Sequence, residues 1–224
     1  MGNPAKIVVS SSMAKGPKPS QGYNEHMEFW MATSPWTGVV LWIILYISDY
    51  YLTIYSAQGF RETGHFHFEV FELTPQFQKE IDALKSISKL HLTLLMLYSL
   101  LIVFIWWFTQ RLLFFPWTYL LYLGMFLLLE VAVHLRHLRN VFLIREIRKS
   151  GGVAGQLSYR KWFSYRISAL EFYTFSALFL IISVLSYSSF FLGGAIMCFG
   201  TGFKHNRLAK KAKSDPLPAV EVQT

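Results

Sequence analysis

The sequence predicts an all-α, polytopic integral membrane protein: a helical bundle of about five transmembrane helices with an amphipathic interfacial helix. Three observations favour this class: several apolar runs long enough to cross a bilayer, a hydrophobic content of 53%, and only 15% charged residues among 224. A soluble domain carries about 25% charged residues, so this chain lacks the polar surface of a soluble protein. The alternating segments typical of an outer-membrane barrel are missing.

The chain begins with a polar segment, and we expect residues 1–34 to be a flexible tail with an interfacial stretch around Trp30. Ser34 and Pro35 supply an N-cap and a first helical position, which predicts the start of the first span. The "HFHFEVFE" stretch at 65–72 alternates aromatic and ionisable residues, which indicates a short extended segment or an amphipathic surface piece. An amphipathic helix at about 75–88 follows, opened by Thr74 and Pro75.

The transmembrane domain is predicted to cover residues 35–203, followed by a basic, disordered tail at 204–224. Two short spans separated by a turn at 187–189 are expected in its last part, although one span plus a re-entrant piece is the alternative. The predicted spans are about 35–57, 91–109, 116–138, 168–186 and 189–203.

The distribution of basic residues predicts the orientation. Eight lysines and arginines lie between residues 136 and 166 and five in the 204–224 tail, against one in the 110–115 link. The positive-inside rule therefore puts the C-terminus in the cytoplasm and the N-terminus outside, in what we expect to be a prokaryotic cytoplasmic membrane. The net charge of +8 lies mostly beside apolar spans, which favours anionic-lipid contact over nucleic acid. The expected lipid contacts are Arg136, Arg139, Arg145, Arg148, Lys149, Lys210, Lys211 and Lys213.

Ionisable residues inside the apolar spans are the candidate functional residues, because each is costly to insert. Asp49, Glu130 and Glu171 are all expected at one depth, in the cytoplasmic half of the membrane. Within "EVAVHLRHLRN" at 130–140, Glu130, His134 and His137 share one helical stripe, separate from the arginines. These five residues predict a metal site, for zinc, iron or manganese, or a proton relay. Accessory ligands could come from His65, His67, Glu69 and Glu72.

Other interpretations remain open from the sequence. The histidines could be interface residues, and Asp49 could pair with Arg136. No catalytic motif is evident, which favours a non-enzymatic role, such as a structural or assembly subunit joined to other membrane subunits or to copies of itself through its Gly-rich last span. A lipid-directed enzyme with Glu130 and His134 as acid and base is a further alternative.

"SDYYLT" in the first span and "FELTPQF" before the second carry a resemblance to a known group. They resemble a small, poorly characterised group of prokaryotic membrane proteins with Asp-x-x-Leu-Thr in helix 1 and Glu-x-Asn-Pro before helix 2. Asp49, Leu52, Thr53, Glu72 and Pro75 match, whereas Thr74 replaces the usual Asn. The resemblance implies that Asp49 and Glu72 belong to a common element, and it implies no activity.

Overall fold

The computed structural model of the protein describes residues 24–214 and confirms the all-α bundle. Within this range, seven α-helices and two three-residue strands follow one another along the chain. Their bounds are α1 Asn24–Thr33, α2 Pro35–Thr63, β1 Phe66–Phe68, α3 Pro75–Asp82, α4 Lys89–Trp107, α5 Pro116–Ser150, β2 Leu157–Tyr159, α6 Lys161–Ser186 and α7 Ser189–Ser214.

Four helical segments of the described range are long and apolar enough to cross a membrane: α2, α5, α6 and the segment Lys89–Leu112. The last of these is α4 continued by a π-helical turn, Phe108–Leu112. Large apolar side chains such as Ile44, Leu100 and Leu185 point outward from these helices and are more than half exposed. Because such a surface is stable in lipid and not in water, the protein is an integral membrane protein.

The last helix differs from its prediction at one end. It begins at Ser189 as expected, but it continues to Ser214, so residues 204–214 are helical where a disordered tail was predicted. Lysine, leucine and alanine in this segment are good helix formers, and His205 and Ala209 are buried. Tertiary contacts therefore extend the helix past its apolar part, whereas residues 215–224 lie outside the described range. This helix packs along α5 and α6 and was not among the four segments apolar enough to span.

The segment expected at the membrane interface around Trp30 is helical. Residues 24–33 form helix α1, and residues 1–23, predicted to be a flexible tail, lie outside the described range. The indole nitrogen of Trp106 donates to the carbonyl of Ala32 over 2.9 Å, which ties the end of α1 to α4. Ser34 then caps α2, accepting a hydrogen bond from the amide of Trp36.

Two helices run past the hydrophobic thickness of a membrane. Helix α5 has 35 residues, so at 1.5 Å per residue it is about 52 Å long, against a hydrocarbon core of about 30 Å. Helix α2 also passes its predicted end at 57 and stops at Gly64, which adopts a left-handed conformation with φ 66°. The two helices stay in contact in this part, where Gly59 faces the side chain of Ile144.

The polar connection folds onto these protruding ends. Strand β1 pairs in parallel with β2, His67 opposite Ser158, so "HFHFE" contains the extended segment that its alternation predicted. The amphipathic helix α3 begins at Pro75 as predicted but ends at Asp82, not near 88. The chain turns there through Leu84, which has φ 48°, and Ser88 caps the next helix by accepting from the amide of His91.

Helices α5 and α7 approach each other through two glycines. A Cβ on Gly124 would lie 1.9 Å from the carbonyl oxygen of Phe190, and one on Gly193 would lie 1.9 Å from that of Leu121. Both distances are far below van der Waals contact, so any side chain would force the backbones apart. The small-residue packing face predicted for the last span is present, and it serves contact within the chain.

Candidate metal centre and membrane cavity

Three predicted site residues meet between α2 and α5. One ligand atom each from Asp49, Glu130 and His134 lies within 4.8 Å of the others. Metal–ligand distances of about 2.0–2.2 Å allow ligands at most about 4.4 Å apart. Tetrahedral coordination sets neighbouring ligands only about 3.3–3.6 Å apart, so the three side chains must move closer together to hold an ion.

The imidazole of His134 is oriented for ligation through Nε2. Its Nδ1 donates to the carbonyl of Glu130 over 2.7 Å, which leaves the lone pair of the neutral ring on Nε2. A metal-binding histidine is held in this way by a carbonyl behind it. Nε2 lies 2.7 Å from the hydroxyl of Ser48, which has an alternative acceptor in the carbonyl of Ile44 at 2.7 Å. Ser48 can therefore release His134 without losing its own hydrogen bond.

The two carboxylates lack compensating cations. Glu130 is 8% exposed, and its Oε2 has no hydrogen-bond partner among residues 24–214. Asp49 Oδ1 likewise accepts no hydrogen bond within the described part of the chain. Two ionised carboxylates about 4.8 Å apart repel by roughly 3.5 kcal/mol at an effective dielectric constant near 20. A cation or a proton between them removes this cost.

His137 extends the site by one helical turn. Its Nε2 lies 3.4 Å from Asp49 Oδ1 and 3.1 Å from the hydroxyl of Thr53. The predicted stripe of Glu130, His134 and His137 therefore faces α2, and it meets the polar side of α2 that carries Asp49 and Thr53. His137 thus contacts the carboxylate of Asp49 but is not one of the three residues whose ligand atoms converge.

Glu171 does not join this group. Its carboxylate accepts from Arg136 Nε over 2.6 Å and also pairs with Arg139. The ion pair connects α6 to α5, and the guanidinium of Arg136 lies over the ring of Phe172. Because both of its oxygens are engaged by arginines, Glu171 is a structural partner and not a fourth ligand. Asp49 does not pair with Arg136 either, since that arginine is bound to Glu171.

Of the predicted accessory ligands, Glu72 alone lines the cavity described below together with Asp49 and Glu130. Its Oε1 accepts from the amide of Thr74 over 2.7 Å. Burial raises the pKa of Glu72 above its usual value, which favours the neutral carboxyl. His65 bonds the carbonyl of Gly155 through Nδ1, Glu69 accepts from the amide of Lys161, and His67 is exposed in β1. These three residues hold or flank the strand pair instead.

A cavity of about 740 Å³ lies beside the three converging residues. Its walls come from α2, α4, α5, α6, α7 and the connection around Glu72. Aromatic side chains, including Trp42, Tyr98 and Phe126, form one part, and charged side chains form another. Asp49 and Glu130 face it, so the candidate site opens into a space large enough for a small ligand.

The predicted lipid contacts divide into two groups. Arg136 and Arg139 line the cavity and bind Glu171, and Arg148 pairs with Glu62 over 2.5 Å. Lipid contact by these three residues stays a prediction. The ammonium of Lys213 lies 5.4 Å from the ring centre of Trp162. The remaining members, Arg145, Lys149, Lys210 and Lys211, are exposed.

Sequence reasoning missed several polar residues, one of them beside His134 and the others around the cavity. Ser48 was available from its place beside Asp49 in an apolar span. His91 was not named as a candidate, yet it lines the cavity and stacks on Tyr46 with ring centres 4.1 Å apart. Lys204 and His205 fall in the segment predicted to be a disordered tail, so no helical face was assigned to them.

The chain has no match among the family models, the curated proteins or the solved structures with which it was compared. The fold and the site thus define the class directly: an integral membrane helical bundle with a group of Asp, Glu and His beside an internal cavity.

Proposed function

We propose that this protein binds a divalent metal ion, zinc, iron or manganese, at Asp49, Glu130 and His134, for transport or sensing at a prokaryotic cytoplasmic membrane. The observation that carries the proposal is the approach of three ligand atoms to within 4.8 Å of one another. Two carboxylates and one imidazole suit these ions, and three protein ligands leave a coordination position open for exchange.

The energetics of the site support a cation there. Glu130 is buried beside the carboxylate of Asp49. Within residues 24–214, its Oε2 atom has no hydrogen-bond partner. Buried charges are retained in proteins when they are paired or coordinate metals. The nearby arginines do not supply the pairing, because Arg136 and Arg139 are bound to Glu171.

The test is the metal content of the detergent-purified protein by elemental analysis, before and after chelation and reloading with Zn²⁺, Mn²⁺ or Fe²⁺. The wild type is expected to hold about one ion per chain. Asp49→Asn, Glu130→Gln and His134→Ala should each lose it. Glu62→Gln, an exposed carboxylate on the same helix as Asp49, is the matched control and should retain it.

Size-exclusion profiles separate a lost site from a misfolded protein, since a variant that elutes like the wild type but lacks metal has lost a ligand. A wild type that takes up none of the three ions after reloading would overturn the proposal.

A second candidate function, proton relay, is favoured by the contacts of His137. This imidazole lies between Asp49 and Thr53, and its Nδ1 is buried without a hydrogen-bond partner in the described range. Such a chain of proton-binding groups in a membrane helix is typical of proton pathways. Proton flux into vesicles that contain the metal-free protein tests it: flux that His137→Ala abolishes supports the relay, and the absence of flux removes it.

A further inference from the structure

The cavity wall includes cationic side chains that the proposed metal site does not use. Its cations are Arg136 and Arg139 from α5 and Lys204 from α7. Four carboxylates line the same cavity. Asp49 and Glu130 belong to the proposed metal centre, and Glu171 pairs with Arg136 and Arg139. Among residues 24–214, Lys204 forms no ion pair with a carboxylate, so its ammonium is available to an anionic ligand.

Polar groups of the cavity wall also lack partners. Arg136 gives one hydrogen bond within the described part of the chain, from Nε to Glu171, so its terminal nitrogens retain donors. The hydroxyl of Ser164 and the indole nitrogen of Trp42 are buried with no partner among residues 24–214. Buried donors without a protein partner require an explanation, and a polar molecule bound in the cavity would supply the acceptors. A guanidinium with free donors matches the oxygens of a phosphate.

The rest of the cavity is apolar. Trp42, Tyr98 and Phe126 contact one another there, with ring centres 5.5–5.7 Å apart. Helix α7 presents Gly200 on the same face as Met197 and Lys204, and a Cβ at Gly200 would meet nothing within 4 Å. A phosphate alone would leave this space unfilled, whereas a molecule with an apolar part would fill it.

From these observations we infer that the cavity binds an amphipathic molecule with a phosphate headgroup. The phosphate lies against Arg136, Arg139 and Lys204, and the apolar part lies along the aromatic wall. The site goes beyond the proposed metal centre, because His134 does not line the cavity and no metal ligand is needed to hold the phosphate.

Binding is measured with purified full-length protein by titration with short-chain phosphatidylglycerol, short-chain phosphatidylcholine and glycerol phosphate. Saturable binding of phosphatidylglycerol at one site per chain is expected, with an affinity at least about tenfold above that of the zwitterionic lipid. If glycerol phosphate binds as tightly as the lipid, the ligand is a water-soluble phosphate and the apolar part of the inference is overturned. Absence of saturable binding by any of the three overturns the whole.

Two kinds of variant locate the site. Arg136→Gln/Lys204→Gln removes two of the three cations and is expected to weaken binding about tenfold or more. Arg145→Gln/Lys210→Gln removes two exposed charges from the same helices and should change nothing. Gly200→Leu fills the cavity without altering its charge and should also abolish binding. If Gly200→Leu binds like the wild type, the lipid sits on the outer surface and the inference is wrong.

The metal proposal can fail independently. His134→Ala should lose the ion and still bind phosphatidylglycerol, and a variant that loses both would show that the lipid is held by the metal.

Discussion

The imidazole of His137 lies 3.4 Å from the carboxylate of Asp49 and joins α5 to α2 one helical turn from His134. The two histidines thus have different roles in the candidate site. His134 contributes an atom to the converging group, whereas His137 contacts the side chain of one of its ligands.

We expect substitutions of the two histidines to reduce metal affinity to different extents. His134→Ala removes a ligand and should abolish stoichiometric metal, whereas His137→Ala removes support for Asp49 and should weaken binding about 10–100-fold. Ser48→Ala should leave affinity unchanged or raise it, because the hydroxyl of Ser48 competes for Nε2 of His134. Titration of the metal-free proteins measures all three. Equal losses in both histidine variants would contradict this division of roles.

The pairing of Glu171 with two arginines predicts a loss of stability on its removal. Glu171→Gln leaves Arg136, whose side chain is 21% exposed, without its anion, and should lower the free energy of unfolding by about 1–3 kcal/mol. Glu62→Gln breaks the exposed pair with Arg148 and should cost at most about 1 kcal/mol. Unfolding in mixed detergent micelles compares the stability of the two variants. A larger loss of stability in Glu62→Gln than in Glu171→Gln would refute the structural role of the Glu171 pair.

The contact between α5 and α7 predicts intolerance of side chains at two glycines. Gly124→Ala and Gly193→Ala each place a Cβ on a backbone carbonyl and should destabilise the protein by about 1–3 kcal/mol. Gly200→Ala, on the same helix as Gly193, meets open space and is the control. Thermal unfolding in detergent ranks the stability of the three variants. If Gly200→Ala is destabilised while Gly124→Ala and Gly193→Ala are not, the prediction is wrong.

The raised pKa of Glu72 predicts a stability that depends on pH. An acid whose pKa is higher in the folded state than in the unfolded state binds its proton more tightly when folded, so folding is favoured at low pH and loses stability as the pH rises through that shift. Glu72→Gln resembles the neutral carboxyl and should stabilise the protein at pH 7–8. The stability advantage of Glu72→Gln over the wild type should vanish when the pH is below 4.5, the ordinary pKa of the carboxyl group. A variant less stable than the wild type at pH 8 would show that the carboxylate is needed.

The distribution of basic residues predicts the orientation, and single cysteines can test it. In a Cys198→Ala background, a cysteine at Arg111 should react with a membrane-impermeant maleimide added to intact cells, whereas one at Ser150 should react only after lysis. Because Cys198 is the single cysteine of the chain, this background leaves only the introduced thiol to react. The reverse pattern would invert the predicted topology.

Much of the fold follows from local sequence. Ser34 with Pro35 marks the start of α2, and Thr74 with Pro75 marks the start of α3, as predicted. The spacing of Glu130, His134 and His137 predicts a single face, because 3.6 residues per turn place positions i, i+4 and i+7 together. These features depend on neighbours in the chain, which the sequence displays directly.

The tertiary structure decided which charged residues belong to the site. Asp49, Glu130 and Glu171 were expected at one depth, yet only the first two meet, because α6 turns Glu171 toward Arg136 and Arg139. His205 lines the cavity because α7 packs against α6 and continues as a helix beyond its apolar part. Depth and face are properties of one helix, whereas contact depends on how helices pack, and backbone approaches such as that of Gly124 to Phe190 set that packing between residues far apart in the chain.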